Sequence, residues 1–214
     1  MIKFIAFDFD GTLADSVDFC LYVFCEVLHK YMGEQAPSRE DIYQNFGMNE
    51  PGVLRHYMGS FNADAEADFY RIHREKHAEM CPVAYSGCRE LLDFLKSKGI
   101  RLAIVTGRSE TTCNISLEFL GLGGYFEVCR YGSPEKNDKA AQFRELIAAN
   151  DLQNDEFVYV GDAVSDAEAC IAANVKCLSA AWAESARISE LEKINPGLVF
   201  RSVADMQKYI TENI

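Results

Sequence analysis

Six short apolar runs, at 2–9, 101–106, 126–130, 157–161, 176–179 and 198–200, constrain the fold of this chain more than any other feature. Segments of helical period separate most of them: 88–98 carries Leu91, Leu92 and Leu95 on one face, and 139–149 carries Phe143, Leu146 and Ile147. Strands that alternate with helices predict an α/β protein, a parallel sheet wrapped by helices.

The alternation fails in one place. After the first run, the next strand-like run arrives only near 101, and the residues between about 15 and 81 read as helical throughout. Val17, Leu21, Phe24, Val27, Leu28 and Tyr31 form one stripe, Ser38 stands as an N-cap before a second helix, and a longer helix is expected over 65–80. The expected organisation is a core of 1–14 and 82–214 interrupted by an all-helical domain of 15–81. A chain of 214 residues has room for one core and such an insertion.

With 49% hydrophobic and 25% charged residues the chain should fold rather than stay disordered. The 33 acids against 21 basic residues give a net charge of −12, which argues against nucleic acid or an anionic membrane as partner. No apolar stretch is long enough to span a bilayer and no signal peptide is apparent, so a cytoplasmic protein is expected. Eight cysteines without a C-x-x-C pair then read as reduced thiols packed as small hydrophobes.

In an open parallel sheet, ligands bind beyond the carboxyl ends of the strands, where strand order reverses. The first run ends in Asp8-Phe9-Asp10-Gly11-Thr12, the second in Thr106-Gly107-Arg108, and a later one in Gly161-Asp162, with Asp166 four residues on. Two acids at the end of a buried strand are costly unless they have work to do there. Along a strand, residues i and i+2 share a face, so Asp10 is placed to act beside Asp8. Lys139 opens the helix before the Gly161-Asp162 strand.

Taken in order, these segments resemble the haloacid dehalogenase (HAD) superfamily, whose motifs are D-x-D-G-T, a strand-end Ser/Thr, a Lys, and G-D-x-x-x-D. Within it, "DFDGTLADS", "SGCRELLDFLKSKGIRLAIVTGRS" and "VYVGDAVSDAEACIAANV" are similar to phosphoglycolate phosphatase-like and β-phosphoglucomutase-like members. The resemblance implies a Rossmann-like core with a helical cap, and a Mg2+-dependent phosphatase acting on a small phosphorylated metabolite through an aspartyl-phosphate. In that scheme Asp8 is the nucleophile, and Asp10 protonates the leaving oxygen and then activates water. Asp8, the backbone carbonyl of Asp10, and Asp162 hold Mg2+, with Asp166 orienting metal-bound water. Gly11, Thr12, Thr106, Gly107 and Lys139 bind the transferring phosphoryl group. Lys136 is the rival for the last role; Lys139 is preferred for its place at the helix start and its spacing to Gly161.

The physical chemistry of phosphoryl transfer asks for this set. Phosphoryl oxygens repel an approaching anion, so a fixed nucleophile and a cation are needed. A hard ion such as Mg2+ takes one or two carboxylates and fills its remaining positions with water and phosphate. A phosphomutase is the alternative reading, and a non-catalytic metal-binding module a more distant one; a dehalogenase is disfavoured because those relatives lack the acid at Asp10. Outside the motifs, Arg108 is read either as a contact for a substrate anion or as a solvent-facing residue. His73 and His77 in "HREKH" have metal-pair spacing but are expected on a solvated face, and Trp182 is expected to anchor a loop. Arg55, Arg71, Arg74 and Lys76 are expected as surface charge.

Overall fold

In the computed structural model, which describes residues 1–135 and 138–214, six parallel strands form one sheet in the order β3-β2-β1-β4-β5-β6. They are β1 (Phe4–Phe7), β2 (Arg101–Val105), β3 (Val128–Arg130), β4 (Phe157–Gly161), β5 (Lys176–Ala180) and β6 (Val199–Phe200). Each falls on one of the six apolar runs, trimmed mostly at the ends. Helices are α1 (Val17–Met32), α2 (Arg39–Gln44), α3 (Glu50–Met58), α4 (Ala63–Met80), α5 (Cys88–Ser97), α6 (Glu110–Leu120), α7 (Lys139–Ala149), α8 (Val164–Ala173), α9 (Ile188–Ile194) and α10 (Val203–Asn213).

Both faces of the sheet are covered, which is why its strands read as continuous apolar runs rather than alternating ones. In β1 the side chains still alternate in direction. Ile5 and Phe7 join Leu102, Ile104, Val158 and Val160 on a face packed by α5, α6 and α10, while Phe4 and Ala6 join Ala103, Val105, Phe157 and Tyr159 on a face packed by α7 and α8. Order reverses at β1: its neighbours are β2 on one side and β4 on the other, so the crevice for a ligand opens beyond Phe7 and Gly161.

Helices α1 to α4 make up the insertion. Capping supports the boundaries: Ser38 accepts from Asp41 N before α2, Asn49 from Gly52 N in α3, and Asn62 from Asp64 N and Ala65 N at α4. Helix α1 is more buried than a surface stripe would be, with Phe19, Cys20 and Val23 enclosed besides Leu21, Phe24, Val27 and Leu28. In α4 the structure corrects the sequence reading. His73 and His77 are fully buried, continuing at four-residue steps the ladder begun by Ala65 and Phe69. Their rings pack on Phe19, and His77 also stacks on Phe119. A histidine in its neutral form is apolar enough to serve as a core residue, and here the helical period prevails over its polarity.

All eight cysteines are free thiols. Among the described residues no helix is long and apolar enough to cross a membrane. Arg55, Arg71, Arg74 and Lys76 all make surface ion pairs, with Glu135, with Asp68 and Glu75, with Glu118, and with Glu79 respectively.

Candidate active site

The chain turns sharply after β1. Asp8 N still donates to Val160 O at 2.8 Å, extending the ladder with β4 by one bond, and the amides of Thr12, Leu13 and Ala14 then all reach back to Phe9 O. Gly11 sits within this turn at φ +70°, and a Cβ added there would fall on the Asp162 carboxylate. Glycine is thus required twice, by the backbone and by the close approach of Asp162, which follows β4. Gly161 is pinned in the same way, since a Cβ there would fall on Asp166 Oδ2.

Asp8, Asp162 and Asp166 each bring a carboxylate oxygen within 4.8 Å of the others. Lys139 reaches into the group from the first turn of α7, with Nζ 2.8 Å from Asp8 Oδ2 and 2.7 Å from Asp166 Oδ1. Its third partner is the Tyr159 hydroxyl, at 2.8 Å, which donates in turn to Val105 O. Asp166 is fixed besides by Ala163 N, which donates to Oδ2. Thr12 donates from Oγ1 to Asp162 Oδ1 at 3.2 Å, and Trp182 Nε1 holds the Thr12 carbonyl at 3.0 Å. Trp182 therefore anchors the loop that carries the acids. Lys136 lies outside the described residues.

Charge in this group is out of balance. Burial drives the Asp8 carboxyl up to about 6; Lys139 pulls it down, and the Asp166 charge adds to the rise. Asp162 is pushed well above the usual carboxylate range, by burial first and then by Asp166 and Asp8. For Lys139, burial works against the ammonium, but Asp166 and Asp8 outweigh it and its affinity for the proton rises. Among the described residues three carboxylates face one ammonium, and this set of oxygen donors fits a hard divalent cation such as Mg2+, whose charge would favour the ionised forms of Asp8 and Asp162.

Asp10 has different company. Its side chain lies outside the three-carboxylate group and meets Arg108 side-on, with Nε 2.9 Å from Oδ2 and Nη2 2.6 Å from Oδ1. Ser16 Oγ donates to the same Oδ1 at 2.6 Å. Burial pushes the Asp10 carboxyl up, but the charge and hydrogen bonds of Arg108, helped by Ser16, hold it below the ordinary value. Arg108 is 3% exposed and paired with Asp10, so it does not face solvent. Sequence reasoning missed it because the chain leaves β2 at Val105; beyond a strand end, period-2 logic no longer says where a side chain points.

Thr106 is fully buried at the end of β2, and its Oγ1 accepts from Arg108 N at 3.3 Å. Gly132 packs so tightly on the Gly107 carbonyl that a Cβ would overlap it. The insertion closes over these loops: Asn49 N and Nδ2 donate to Ser133 O and Gly132 O, and the buried Glu50 accepts from Ser109 N at 2.7 Å and from the Thr112 hydroxyl. Glu50 thereby supplies an anion at the N-terminus of α6, where the helix leaves free N–H groups.

The family model described as haloacid dehalogenase-like hydrolase matches residues 5–180. A phosphoglycolate phosphatase of Pseudomonas syringae pv. tomato is 31% identical over 193 residues, covering 84% of this chain and 70% of that relative. Pyrophosphatase PpaX of Bacillus velezensis is 31% identical over 183 residues, covering 83% and 82%. A solved structure described as a predicted phosphoglycolate phosphatase, from Haemophilus somnus 129PT, superposes with a TM-score of 0.79 over 98% of both chains at 21% identity, a likeness of fold. With the motifs and the sheet's switch point carrying the same acids, the chain belongs to the haloacid dehalogenase-like hydrolase family.

Proposed function

We propose that this hydrolase of phosphoric esters is a Mg2+-dependent phosphatase of small phosphomonoesters that works through a phosphorylated Asp8. The observation that carries the reading is the placement of Asp8 at the switch point, hydrogen-bonded to Lys139 and grouped with Asp162 and Asp166. An Asp8 oxygen attacks phosphorus, the bond to the ester oxygen breaks, and Asp10 delivers the proton that the departing alcohol needs. Water then attacks the phosphorus of phosphorylated Asp8 with Asp10 taking its proton, which frees inorganic phosphate, restores the Asp8 carboxylate and returns Asp10 to the protonated form in which it began the cycle. Lys139, Thr106 and the Gly107 amide bind the phosphoryl oxygens during transfer. Mg2+, held by Asp8, Asp162 and the Asp10 carbonyl with Asp166 behind them, would supply the positive charge that lets an anionic nucleophile approach an anionic ester.

Residues 15–81 act as a lid in this reading. Asn49 and Glu50 seat α3 on the loops after β2 and β3, directly beside Thr106 and Gly107, so the insertion covers the strand ends. A lid encloses its leaving group, which selects small substrates, and relatives named for phosphoglycolate and for pyrophosphate suggest a compact anionic one.

Phosphate release across a panel of small phosphate esters with Mg2+, phosphoglycolate, hexose phosphates and pyrophosphate included, tests the proposal, with Asp8→Asn as the blank. Clear Asp8-dependent turnover of one ester class is expected. Isomer interconversion of a sugar phosphate without net phosphate release would replace hydrolysis with a mutase.

A further inference from the structure

Resting on the phosphatase reading, the geometry points to Arg108 as a positioning residue for the acid–base step, one that holds Asp10 with a single oxygen left for proton transfer. The contacts are asymmetric. Asp10 Oδ1 accepts from Ser16 Oγ at 2.6 Å, from Arg108 Nη2 at 2.6 Å and Nε at 3.1 Å, and more weakly from Cys20 Sγ at 3.6 Å. Among the described residues, Oδ2 accepts only from Arg108 Nε, at 2.9 Å. A carboxylate oxygen with its lone pairs filled is a poor carrier of a proton, so Oδ2 is the oxygen that works.

Arg108 is itself immobilised, which is what a positioning group requires. Nη1 donates to Ser116 Oγ at 2.7 Å and lies 3.4 Å from His73 Nε2; Nη2 lies 3.1 Å from Cys20 Sγ; and the guanidinium covers the Phe9 ring at 4.6 Å. Its anchors come from both parts of the chain, Ser116 from core helix α6 and Cys20 and His73 from the insertion. The planar fork matches a carboxylate side-on, a geometry that a lysine cannot reproduce. No substrate contact is needed for this role.

The test compares two esters by kcat/KM, which reports the steps up to loss of the leaving group. An alkyl phosphate that the wild type hydrolyses needs a proton on its departing oxygen, whereas 4-nitrophenyl phosphate releases a stable phenolate. Arg108→Met is expected to lower kcat/KM for the alkyl ester about 10–100-fold more than for 4-nitrophenyl phosphate, within the range that general acid assistance contributes. Arg108→Lys, which keeps the charge and guards against a folding defect in the Met variant, should show the same bias to a smaller degree. In an Asp10→Asn background either change should cost less than about twofold further, since both act through one carboxylate. An equal fall for the two esters, or an undiminished effect of Arg108→Lys in the Asp10→Asn enzyme, would overturn the positioning role and leave the phosphatase reading standing. Absence of any Asp8-dependent turnover by the wild type would overturn both.

Discussion

Asp8 and Asp10 stand two residues apart on one loop, and their surroundings push them in opposite directions. Asp8 shares a buried space with Asp162 and Asp166 against one lysine, and its carboxyl rises to about 6. Asp10, close by, is gripped by a buried arginine and by Ser16, and is held below the usual range. As it stands, the separation makes Asp8 the readier acid and Asp10 the readier anion, so the proposed roles need a cation beside Asp8 to reverse it. The difference here lies in where the compensating charge comes from. For Asp10 it is built into the chain as Arg108; for Asp8 the described residues supply only Lys139, already shared with Asp166, and the deficit among them is what a divalent cation would fill.

Removing each acid in turn is the most severe way to test this division. Asp8→Asn should abolish phosphate release if Asp8 is the nucleophile as proposed, since an amide cannot attack in its place. Asp10→Asn should slow turnover of an alkyl ester about 10²–10⁴-fold while leaving the fold intact, as expected for loss of acid–base assistance. Steady-state phosphate release by purified variants measures both, and equal effects of the two substitutions would erase the distinction between the roles.

A second test addresses the charge deficit directly and does not depend on turnover. Mg2+ at 100 times its dissociation constant should stabilise the protein by about 2.7 kcal/mol if it binds only the folded state. Removing the ion with a chelator should reverse the gain, and Asp162→Asn should lose most of it while Asp10→Asn, whose backbone carbonyl is unchanged, keeps it. Thermal unfolding with and without Mg2+ reads this out; a gain that survives in Asp162→Asn would place the cation elsewhere.

Gly11 offers a smaller perturbation of the same loop. Gly11→Ala puts a side chain at φ +70° and sets its Cβ against Asp162, so a stability loss of about 1–3 kcal/mol is expected, with a displaced Asp162 weakening Mg2+ binding as well. Urea unfolding in the presence and absence of Mg2+ separates the two effects. A neutral substitution would mean that the turn relaxes and that its closeness to Asp162 is not required.

Much of this was written in the sequence, for identifiable reasons. The strands were legible because a parallel sheet covered on both faces must be built from short apolar runs, and the acids stood out because they end such a run at Phe7 and Gly161. Lys139, picked out by its place at the helix start and its spacing to Gly161, lies 2.8 Å from Asp8. Arg108 could not be placed, since its direction is set by loop geometry after Val105 and by partners as distant in sequence as Asp10 and Cys20. The burial of His73 and His77 was carried by the spacing of Ala65 and Phe69, a signal obscured by reading "HREKH" as a polar segment.

Those two histidines support the last and mildest prediction, on the side of the molecule that backs Asp10. Burial, with the charge of Arg108 added, pushes His77 down to about 4 and His73 to about 2, against about 6.5 for the unfolded chain. A histidine that is harder to protonate when folded contributes stability above pH 6.5 and loses it as the pH falls, because the unfolded chain takes up the proton first. Between pH 7 and pH 5 each should cost about 2 kcal/mol by this linkage. His77→Leu, which keeps an apolar group against Phe19 and Phe119, should remove one such contribution, so that its urea midpoint falls less steeply over this interval than that of the wild type. Parallel curves for the two proteins would mean that His77 protonates as readily in the fold as in water, and that the region behind Asp10 admits a second positive charge beside Arg108.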